Sequence, residues 1–275
     1  MKPDGPGTGE RVQLIAAELR RAGCVFAEDE AALLLDAAAD EGALRAAVAR
    51  RTAGEPLETI LGWAEFAGLR IPVGAGMFVP RRRTEVLVDQ ALVELSGRPG
   101  ARVLDLCCGV GAVTAALLCR RPDLAAVAVE LDPRAADRAA ATLTPLGARV
   151  LVGDLYGPLP DTRPEPLPDG WSDRFDLITA NAPYVPTDAI ASMPPEARDH
   201  EPTLALDGGP DGVDVQRRVI AGAPDRLMAN GILIVETSRR QAPLTVQAFE
   251  AAGFVAEVVR DEDRDGTAVV GRRPS

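Results

Sequence analysis

Apolar residues recur at helical spacing in the first part of the chain. Three Ala- and Leu-rich stretches have this pattern, and each places apolar side chains three and four residues apart. We predict that they are helices: Glu10–Ala22, Glu28–Ala39 and Glu41–Arg51. The three together predict a small helical bundle. No group of residue types suited to catalysis stands out within it.

From about Thr84 the pattern changes to short apolar runs that alternate with helical stretches. The runs predicted as strands are Arg102–Leu106, Ala126–Glu130, Arg149–Val152, Arg174–Thr179, Gly231–Glu236, Val255–Val259 and Thr267–Gly271. Helical stretches at Ala112–Arg120 and Arg134–Leu146 follow the first two runs. Alternation of this kind predicts an α/β fold, in which helices cover both faces of a mostly parallel sheet.

The same patterns divide the chain into four expected parts. Residues 1–9, rich in Gly and Pro, are predicted to be a disordered lead-in, and residues 10–55 a helical domain. Residues 56–80 form a predicted linker hairpin, and residues 81–275 the α/β domain. The Pro-rich stretch Tyr156–Asp173 is expected to be a surface loop.

Composition narrows the classes of function. The formal net charge is −11, which disfavours binding to duplex nucleic acid. No run of 18 or more apolar residues is present, so no membrane span is expected. The four cysteines form no CxxC pair and His200 is the only histidine, so no metal site is expected. The sequence begins with no signal-peptide pattern, and we expect a cytoplasmic protein.

A glycine-rich turn follows the first strand of the α/β domain. The segment runs from Asp105 through Cys107 and Cys108 to Gly109 and Gly111. Glycines allow the main chain to approach a ligand closely. A dinucleotide fingerprint would carry glycine where Cys107 stands, and the preceding carboxylate would repel a pyrophosphate. The turn therefore favours S-adenosylmethionine, which carries an ammonium and a sulfonium group, over NAD.

Two further carboxylates follow the next two strands. Glu130 ends the second strand, where an acidic residue typically accepts hydrogen bonds from both ribose hydroxyls. Asp154 follows the third strand, where it is placed to bind the adenine amino group. Because ligands of open α/β sheets bind at the carboxyl ends of the strands, these residues predict one cofactor site.

The fourth strand leads into the segment Asn181-Ala182-Pro183-Tyr184. An amide nitrogen is a poor nucleophile because its lone pair is delocalised. A site that accepts hydrogen bonds from both N–H groups of the amide turns the nitrogen lone pair toward a methyl donor. Asn181 offers a side-chain carbonyl and Ala182 a main-chain carbonyl, while Pro183 restricts the loop and Tyr184 is able to stack on a planar amide. These four residues are the predicted catalytic residues.

With these motifs the chain resembles the HemK/PrmC family of protein-glutamine methyltransferases. The similarity begins at about Thr52 and includes Ile60–Phe66, Phe78–Glu85, the Asp105–Gly111 turn, Glu130, Asn181–Tyr184, Glu201–Gly212 and Glu236. It implies a Rossmann-like class I methyltransferase sheet and a helical N-terminal domain that docks the substrate. The cofactor-binding residues expected on these grounds are Phe78, Pro80, Thr84, Asp105, Cys107, Gly109, Gly111, Glu130, Leu131, Asp154, Leu155 and Asn181.

The resemblance also implies the substrate. Members of the family methylate the glutamine of a Gly-Gly-Gln motif in peptide-release factors or, in a sister branch, a ribosomal-protein glutamine. The chain departs from the family pattern at three places: Ala182 replaces the first proline of Asn-Pro-Pro-Tyr, Cys107 replaces a glycine, and Arg81-Arg82-Arg83 replaces Arg-Pro-Glu/Asp. Three other functions stay open at this point. They are methylation of a small-molecule amide or amine, methylation of a nucleic-acid amine, and cofactor binding without catalysis.

Overall fold

A computed structural model describes residues 7–159 and 174–273 of the chain. Most of the predicted surface loop Tyr156–Asp173 and most of the predicted lead-in 1–9 lie outside the described residues. Within the described ranges, no helix combines the length and apolar character needed to cross a membrane.

The N-terminal part is a helical bundle, as the apolar spacing predicts. Its helices are α1 (Thr8–Arg21), α2 (Ala27–Ala37), α3 (Glu41–Thr52) and α4 (Leu57–Leu61). They enclose a small core of their own, to which α1, α2 and α3 contribute Ala16, Leu19, Ala27, Ala31, Leu34, Leu44 and Val48. Helix α1 begins at Thr8, so the predicted lead-in extends two residues too far.

The predicted linker 56–80 contains more than a hairpin. Helix α4 comes first, and the antiparallel pair β1 (Trp63–Phe66) and β2 (Leu69–Pro72) follows it. The chain then passes through the segment that includes Phe78 and Pro80 before it enters the larger sheet. Ala64, Phe66, Ile71, Val73 and Val79 pack into the core of the α/β part. The hairpin thus packs against the α/β part and shares its hydrophobic core.

The α/β part contains a seven-stranded sheet. Its strands are β3 (Arg102–Leu106), β4 (Ala125–Glu130), β5 (Arg149–Val152), β6 (Phe175–Ala180), β7 (Leu227–Glu236), β8 (Val255–Asp261) and β9 (Gly266–Arg272). Its helices are α5 (Glu85–Glu94), α6 (Ala112–Arg120), α7 (Pro133–Leu143), α8 (Pro195–His200), α9 (Asp214–Arg226) and α10 (Ala242–Ala251). The strand order is β5-β4-β3-β6-β7-β9-β8, and β9 runs antiparallel to both of its neighbours, β7 and β8, whereas the other neighbouring strands are parallel.

Successive residues of the central strands enter two different cores. Val103 and Leu177 pack into the core on one face of the sheet, whereas Leu104 and Ile178 pack into the core on the other. A strand that is buried on both faces needs an unbroken apolar run, which explains the runs seen in the sequence. The Rossmann-like α/β fold predicted from the sequence is confirmed by this sheet.

The strand order also fixes where a ligand binds. The chain moves outward from β3 through β4 to β5, then returns to form β6 on the other side of β3. The loops after β3 and β6 consequently leave the sheet in opposite directions. A crevice opens between them at the carboxyl ends of the strands, which is the usual ligand site of such sheets.

Candidate functional site: a cofactor cavity beside an Asn-Ala-Pro-Tyr loop

A cavity of about 490 Å³ lies at the carboxyl ends of the parallel strands. This volume lies within the range typical of small-molecule sites, about 300–1,000 Å³. Its wall includes eleven of the residues predicted from sequence: Phe78, Cys107, Gly109, Glu130, Leu131, Asp154, Leu155, Asn181, Ala182, Pro183 and Tyr184. The structure therefore brings the predicted cofactor residues and the predicted catalytic loop to one site.

The turn after β3 holds its conformation with left-handed residues. Cys107 (φ 55°), Gly109 (φ 57°) and Gly111 (φ 84°) all have positive φ. A residue with a Cβ atom in this region carries a strain of about 1–2 kcal/mol, so Cys107 occupies a position where glycine would be relaxed. Burial raises the pKa of the Cys107 thiol, and nearby Glu130 raises it further. The thiol is consequently protonated and packs as a small side chain.

Gly111 faces away from the cavity, toward helix α7. A Cβ atom at this position would lie 2.8 Å from Cδ1 of Leu143 and 3.3 Å from Cβ of Ala139. Gly111 is not among the cavity-lining residues. Its place in the cofactor motif thus reflects the close approach of the turn to α7.

The Gly111→Ala substitution is expected to lower the free energy of unfolding by about 2–4 kcal/mol, since left-handed strain adds to overpacking. Gly147 provides a matched control. It also has positive φ (87°), but a Cβ atom there would meet nothing within 4 Å. Gly147→Ala should therefore show only the strain, about 1–2 kcal/mol. Urea unfolding of both variants measures the difference, and equal losses would contradict the packing role of Gly111.

Glu130 organises the loops around the cavity. Its Oε2 accepts a hydrogen bond from the Gly109 main chain at 2.8 Å. Its Oε1 accepts from the main chains of Leu131 at 2.8 Å and Asp132 at 2.9 Å. Burial raises the pKa of Glu130, whereas these three hydrogen bonds oppose the rise. Each carboxylate oxygen has more than one acceptor site, so the side chain is able to hold the turn and also accept a hydroxyl from a ligand.

Asp105 lies behind the turn and does not line the cavity. Only 2% of its surface is exposed. Its two oxygens accept hydrogen bonds from the hydroxyls of Thr114 at 2.7 Å and Thr179 at 2.9 Å. Burial raises the pKa of Asp105 to about 6. Asp105 thus links β3, β6 and α6, and its predicted contact with the cofactor stays a prediction.

Asp154 sits at the rim of the cavity and forms an ion pair with Arg218 of α9. Both side chains are about half exposed, at 50% and 57% respectively. Arg218 also lines the cavity, although no sequence motif pointed to it. Its proximity to Asp154 depends on the packing of α9 against the sheet, and a separation of 64 positions along the chain gave no local signal.

Two oxygen atoms of the Asn-Ala-Pro-Tyr loop accept no main-chain hydrogen bond from the described residues. The side-chain nitrogen of Asn181 donates to the Thr84 hydroxyl at 3.1 Å, whereas no described residue donates to its side-chain oxygen. The main-chain oxygen of Ala182 likewise accepts no main-chain hydrogen bond from the described residues. Both residues line the cavity. The two residues therefore bring two acceptor groups to the cavity wall, the number that a clamp for an NH₂ group requires.

The segment after α8 holds this loop in place. The Val185 main chain donates to Leu206 and accepts from Gly208, each at 2.9 Å. The Gln241 side chain donates to the main-chain oxygen of Tyr184 at 2.6 Å. A Cβ atom on Gly208 would lie 2.7 Å from the Pro183 oxygen, so only glycine fits against the loop. Sequence reasoning missed Gln241, because nothing in its local sequence distinguishes it.

Tyr184 is fixed from behind the loop. Its hydroxyl donates to Oε1 of Glu236 at 3.2 Å, and the guanidinium of Arg83 lies 5.9 Å from the ring centre. Burial raises the pKa of Tyr184, and the nearby Glu236 carboxylate raises it further, so the phenol is protonated. The predicted stacking of Tyr184 on a substrate amide stays a prediction, and the ring is held rigidly enough to perform it.

Two other predicted cofactor residues, Pro80 and Thr84, do not line the cavity. Thr84 is buried and accepts the hydrogen bond from Asn181. Sequence reasoning also missed several lining residues whose segments reach the cavity only through the fold: Met77, Arg83, Val215, Arg218, Met193 and Leu204. The exposed Leu204 gives the rim an apolar surface.

The side chains that line the cavity fit S-adenosylmethionine. The carboxylates of Glu130, Asp132 and Asp154 line one side, where they suit hydroxyl, amino and ammonium groups. Val129, Leu131, Leu155 and other apolar residues line the same region and suit an adenine ring. A pyrophosphate would meet these carboxylates, of which Asp132 pairs with Arg134 and Asp154 with Arg218. The chemistry of the wall therefore matches a cationic nucleoside ligand.

Comparison with known proteins agrees with this geometry. Residues 82–193 match the model of the "Methyltransferase small domain" family. The release factor glutamine methyltransferase of Geobacter sulfurreducens is 38% identical over 233 residues, which cover 84% of this chain and 78% of that protein. The enzyme of the same name from Agrobacterium fabrum is 36% identical over 244 residues, covering 85% and 80% of the two chains. That from Mycolicibacterium smegmatis is 36% identical, covering 80% and 74%. The chain therefore belongs to the release factor glutamine methyltransferase family and is an S-adenosylmethionine-dependent enzyme.

Proposed function

We propose that this enzyme transfers a methyl group to the side-chain amide nitrogen of a glutamine in a peptide-release factor. The observation that carries the proposal is the pair of acceptors at Asn181 and Ala182, which matches the two N–H groups of a primary amide. The names of the relatives give the substrate class. A ribosomal-protein glutamine and a small-molecule amide remain the rival acceptors for the experiment below.

Asn181 and Ala182 would orient the substrate amide. When both N–H groups donate to these oxygens, the plane of the amide is fixed and the nitrogen lone pair points out of that plane. The loop is preorganised by Gln241 and Gly208, so little reorganisation accompanies binding. Orientation of the reacting groups is the main contribution that the protein makes to a displacement of this type.

Glu130, Asp154 and the turn at Gly109 would hold the cofactor. S-adenosylmethionine supplies, when bound, a methyl group on a positively charged sulfur. The carboxylates of the wall would complement its positive charge and its hydroxyls, and the apolar residues Leu131 and Leu155 would exclude water from the adenosine. Cys107 contributes shape alone, since burial keeps its thiol protonated.

The helical bundle is proposed to dock the protein substrate. An ion pair between Arg51 of α3 and Glu196 of α8 attaches the bundle near the segment that holds the catalytic loop. A second cavity, of about 350 Å³, lies at this junction. The exposed Val25 and Phe26 add apolar surface beside it. A cytoplasmic location is part of this proposal, because release factors act in translation.

The test is methylation of a purified bacterial peptide-release factor with labelled S-adenosylmethionine. We expect label on the glutamine of its Gly-Gly-Gln segment, identified by mass spectrometry of the digested product. A release factor with alanine at that glutamine is the matched control and should stay unlabelled. Parallel reactions contain purified ribosomal proteins or free glutamine amide. Label in one of these and not in the release factor would overturn the proposed substrate.

A further inference from the structure

The two ends of the Asn181 side chain have opposite hydrogen-bonding roles. The oxygen accepts and the NH₂ group donates. A substrate amide nitrogen brings N–H donors to the loop, so the clamp works only when the Asn181 oxygen faces the cavity. The carboxamide has nearly the same shape in both orientations. A partner outside the loop must therefore determine which end faces the substrate.

Thr84 is that immediate partner. Its Oγ1 accepts a hydrogen bond from the Asn181 nitrogen at 3.1 Å, and only 4% of its surface is exposed. A threonine hydroxyl is able to accept or to donate, so Thr84 alone could stabilise either orientation. The orientation is fixed only if the Thr84 proton is committed to another acceptor.

Glu236 is placed to be that acceptor. It ends β7 with 1% of its surface exposed. Tyr184 donates to its Oε1 at 3.2 Å, and Arg83 Nε lies 3.6 Å from the same oxygen. Its Oε2 is buried and has no hydrogen-bond partner among the described residues. The Thr84 hydroxyl stabilises the charged form of this carboxylate and so lowers its pKa.

Two contacts stabilise the ionised form of Glu236, since the Tyr184 hydroxyl donates to its Oε1 and the Arg83 guanidinium lies near the same oxygen. Burial raises the pKa of its carboxyl group, whereas the Thr84 hydroxyl, the Arg83 guanidinium and the Tyr184 hydroxyl each oppose that rise. An ionised carboxylate accepts hydrogen bonds and donates none. A hydrogen bond donated by the Thr84 hydroxyl to this carboxylate would give the relay one direction, from Asn181 through Thr84 to Glu236.

We propose that Glu236 is a positioning residue, which acts through Thr84 to turn the side-chain oxygen of Asn181 toward the substrate amide. The same carboxylate anchors the Tyr184 hydroxyl, so one buried group holds both ends of the Asn181–Tyr184 loop. The inference rests on the proposed function, since it concerns the acceptor that a substrate amide requires.

Glu236→Gln is the main test, because it preserves the size of the side chain and introduces an NH₂ donor. The new donor allows the Thr84 hydroxyl to reverse its direction and the Asn181 side chain to flip. We expect kcat for release-factor methylation to fall by about 10- to 100-fold, the range seen when a positioned polar group is lost. The Kd of S-adenosylmethionine, measured by calorimetry, should change by less than about threefold, because the cofactor wall is intact.

Two variants of Thr84 separate positioning from packing. Thr84→Val keeps the shape but removes the hydroxyl, and kcat should fall about as far as in Glu236→Gln. Thr84→Ser keeps the hydroxyl and should retain kcat within about threefold of wild type. If Thr84 served only packing, kcat would fall further in Thr84→Ser than in Thr84→Val, since serine lacks the buried methyl group that valine keeps.

Glu94→Gln is the matched control for loss of a charge. Glu94 lies on α5, pairs with Arg272 and has a side chain that is 12% exposed. It does not line the cavity, so both kcat and cofactor affinity should match wild type. Wild-type kcat in folded Glu236→Gln, with the release factor as substrate, would overturn the inference and leave the proposed function intact. An inactive wild-type enzyme would instead contradict the proposed function itself.

Discussion

Asn181→Ala is expected to lower kcat by about 100-fold, as loss of one positioned polar group in a preorganised site commonly does. The variant removes one of the two acceptors for the substrate NH₂ group and leaves the Ala182 carbonyl in place. It also removes the donor to Thr84. Steady-state kinetics with a purified release factor measures the loss. Cofactor affinity should change less than kcat, because most of the cofactor wall lies elsewhere.

Ala182→Pro is the matched control in the same loop. It restores the family's Asn-Pro-Pro-Tyr pattern and retains the main-chain oxygen of residue 182. The Ala182 main chain donates no hydrogen bond to a main-chain oxygen in the described part of the chain, so proline removes no such bond. We expect wild-type or modestly higher activity, with a gain of about 0.4–1 kcal/mol in stability from the stiffer loop. Wild-type turnover of Asn181→Ala would exclude the amide clamp.

Glu130→Ala is expected to weaken S-adenosylmethionine binding by about 1–3 kcal/mol, the cost of losing a charged hydrogen-bond partner. This loss corresponds to a Kd about 5- to 150-fold higher. The variant also releases the main chains of Gly109, Leu131 and Asp132. Two effects therefore add: the ligand loses an acceptor, and the walls of its site lose their support. Isothermal titration calorimetry gives the affinity directly.

Asp123→Ala controls for the loss of loop support alone. Asp123 precedes β4 at the opposite end of the sheet, where it accepts a hydrogen bond from the Gly100 main chain at 2.9 Å. It does not line the cavity. This variant should lose some stability and bind the cofactor with wild-type affinity. Wild-type affinity in Glu130→Ala as well would disprove the assignment of Glu130 to the cofactor.

Local sequence was sufficient to predict most of the architecture. The mainly apolar runs at β3, β6 and β7 indicated strands covered on both faces, and the structure places them at the centre of the sheet. Strand ends are also local features. Because the carboxyl ends of parallel strands lie at one edge of the sheet, Glu130, Asp154 and Asn181 come together at that edge when the sheet forms.

Helices that cover the sheet were harder to predict. Helix α9 contains Pro224 and mixes charged with apolar residues, and helix α5 is short and follows the three arginines Arg81–Arg83. Their positions depend on packing against the sheet, which the intrinsic preference of a short segment does not encode. The ion pair of Arg218 with Asp154 depends on that packing and could not be predicted.

The sequence by itself determined the fold class and located the glycine-rich turn and the Asn-Ala-Pro-Tyr loop, because each depends on short stretches of consecutive residues. The tertiary structure alone decided which side chains face the cavity. Asp105, Gly111 and Thr84 belong to the predicted motifs, yet they point into the protein, toward partners that other elements supply. Glu236 shows the converse case. It reaches the catalytic loop from a strand 52 residues beyond Tyr184, and only the pairing of β6 with β7 brings the two together.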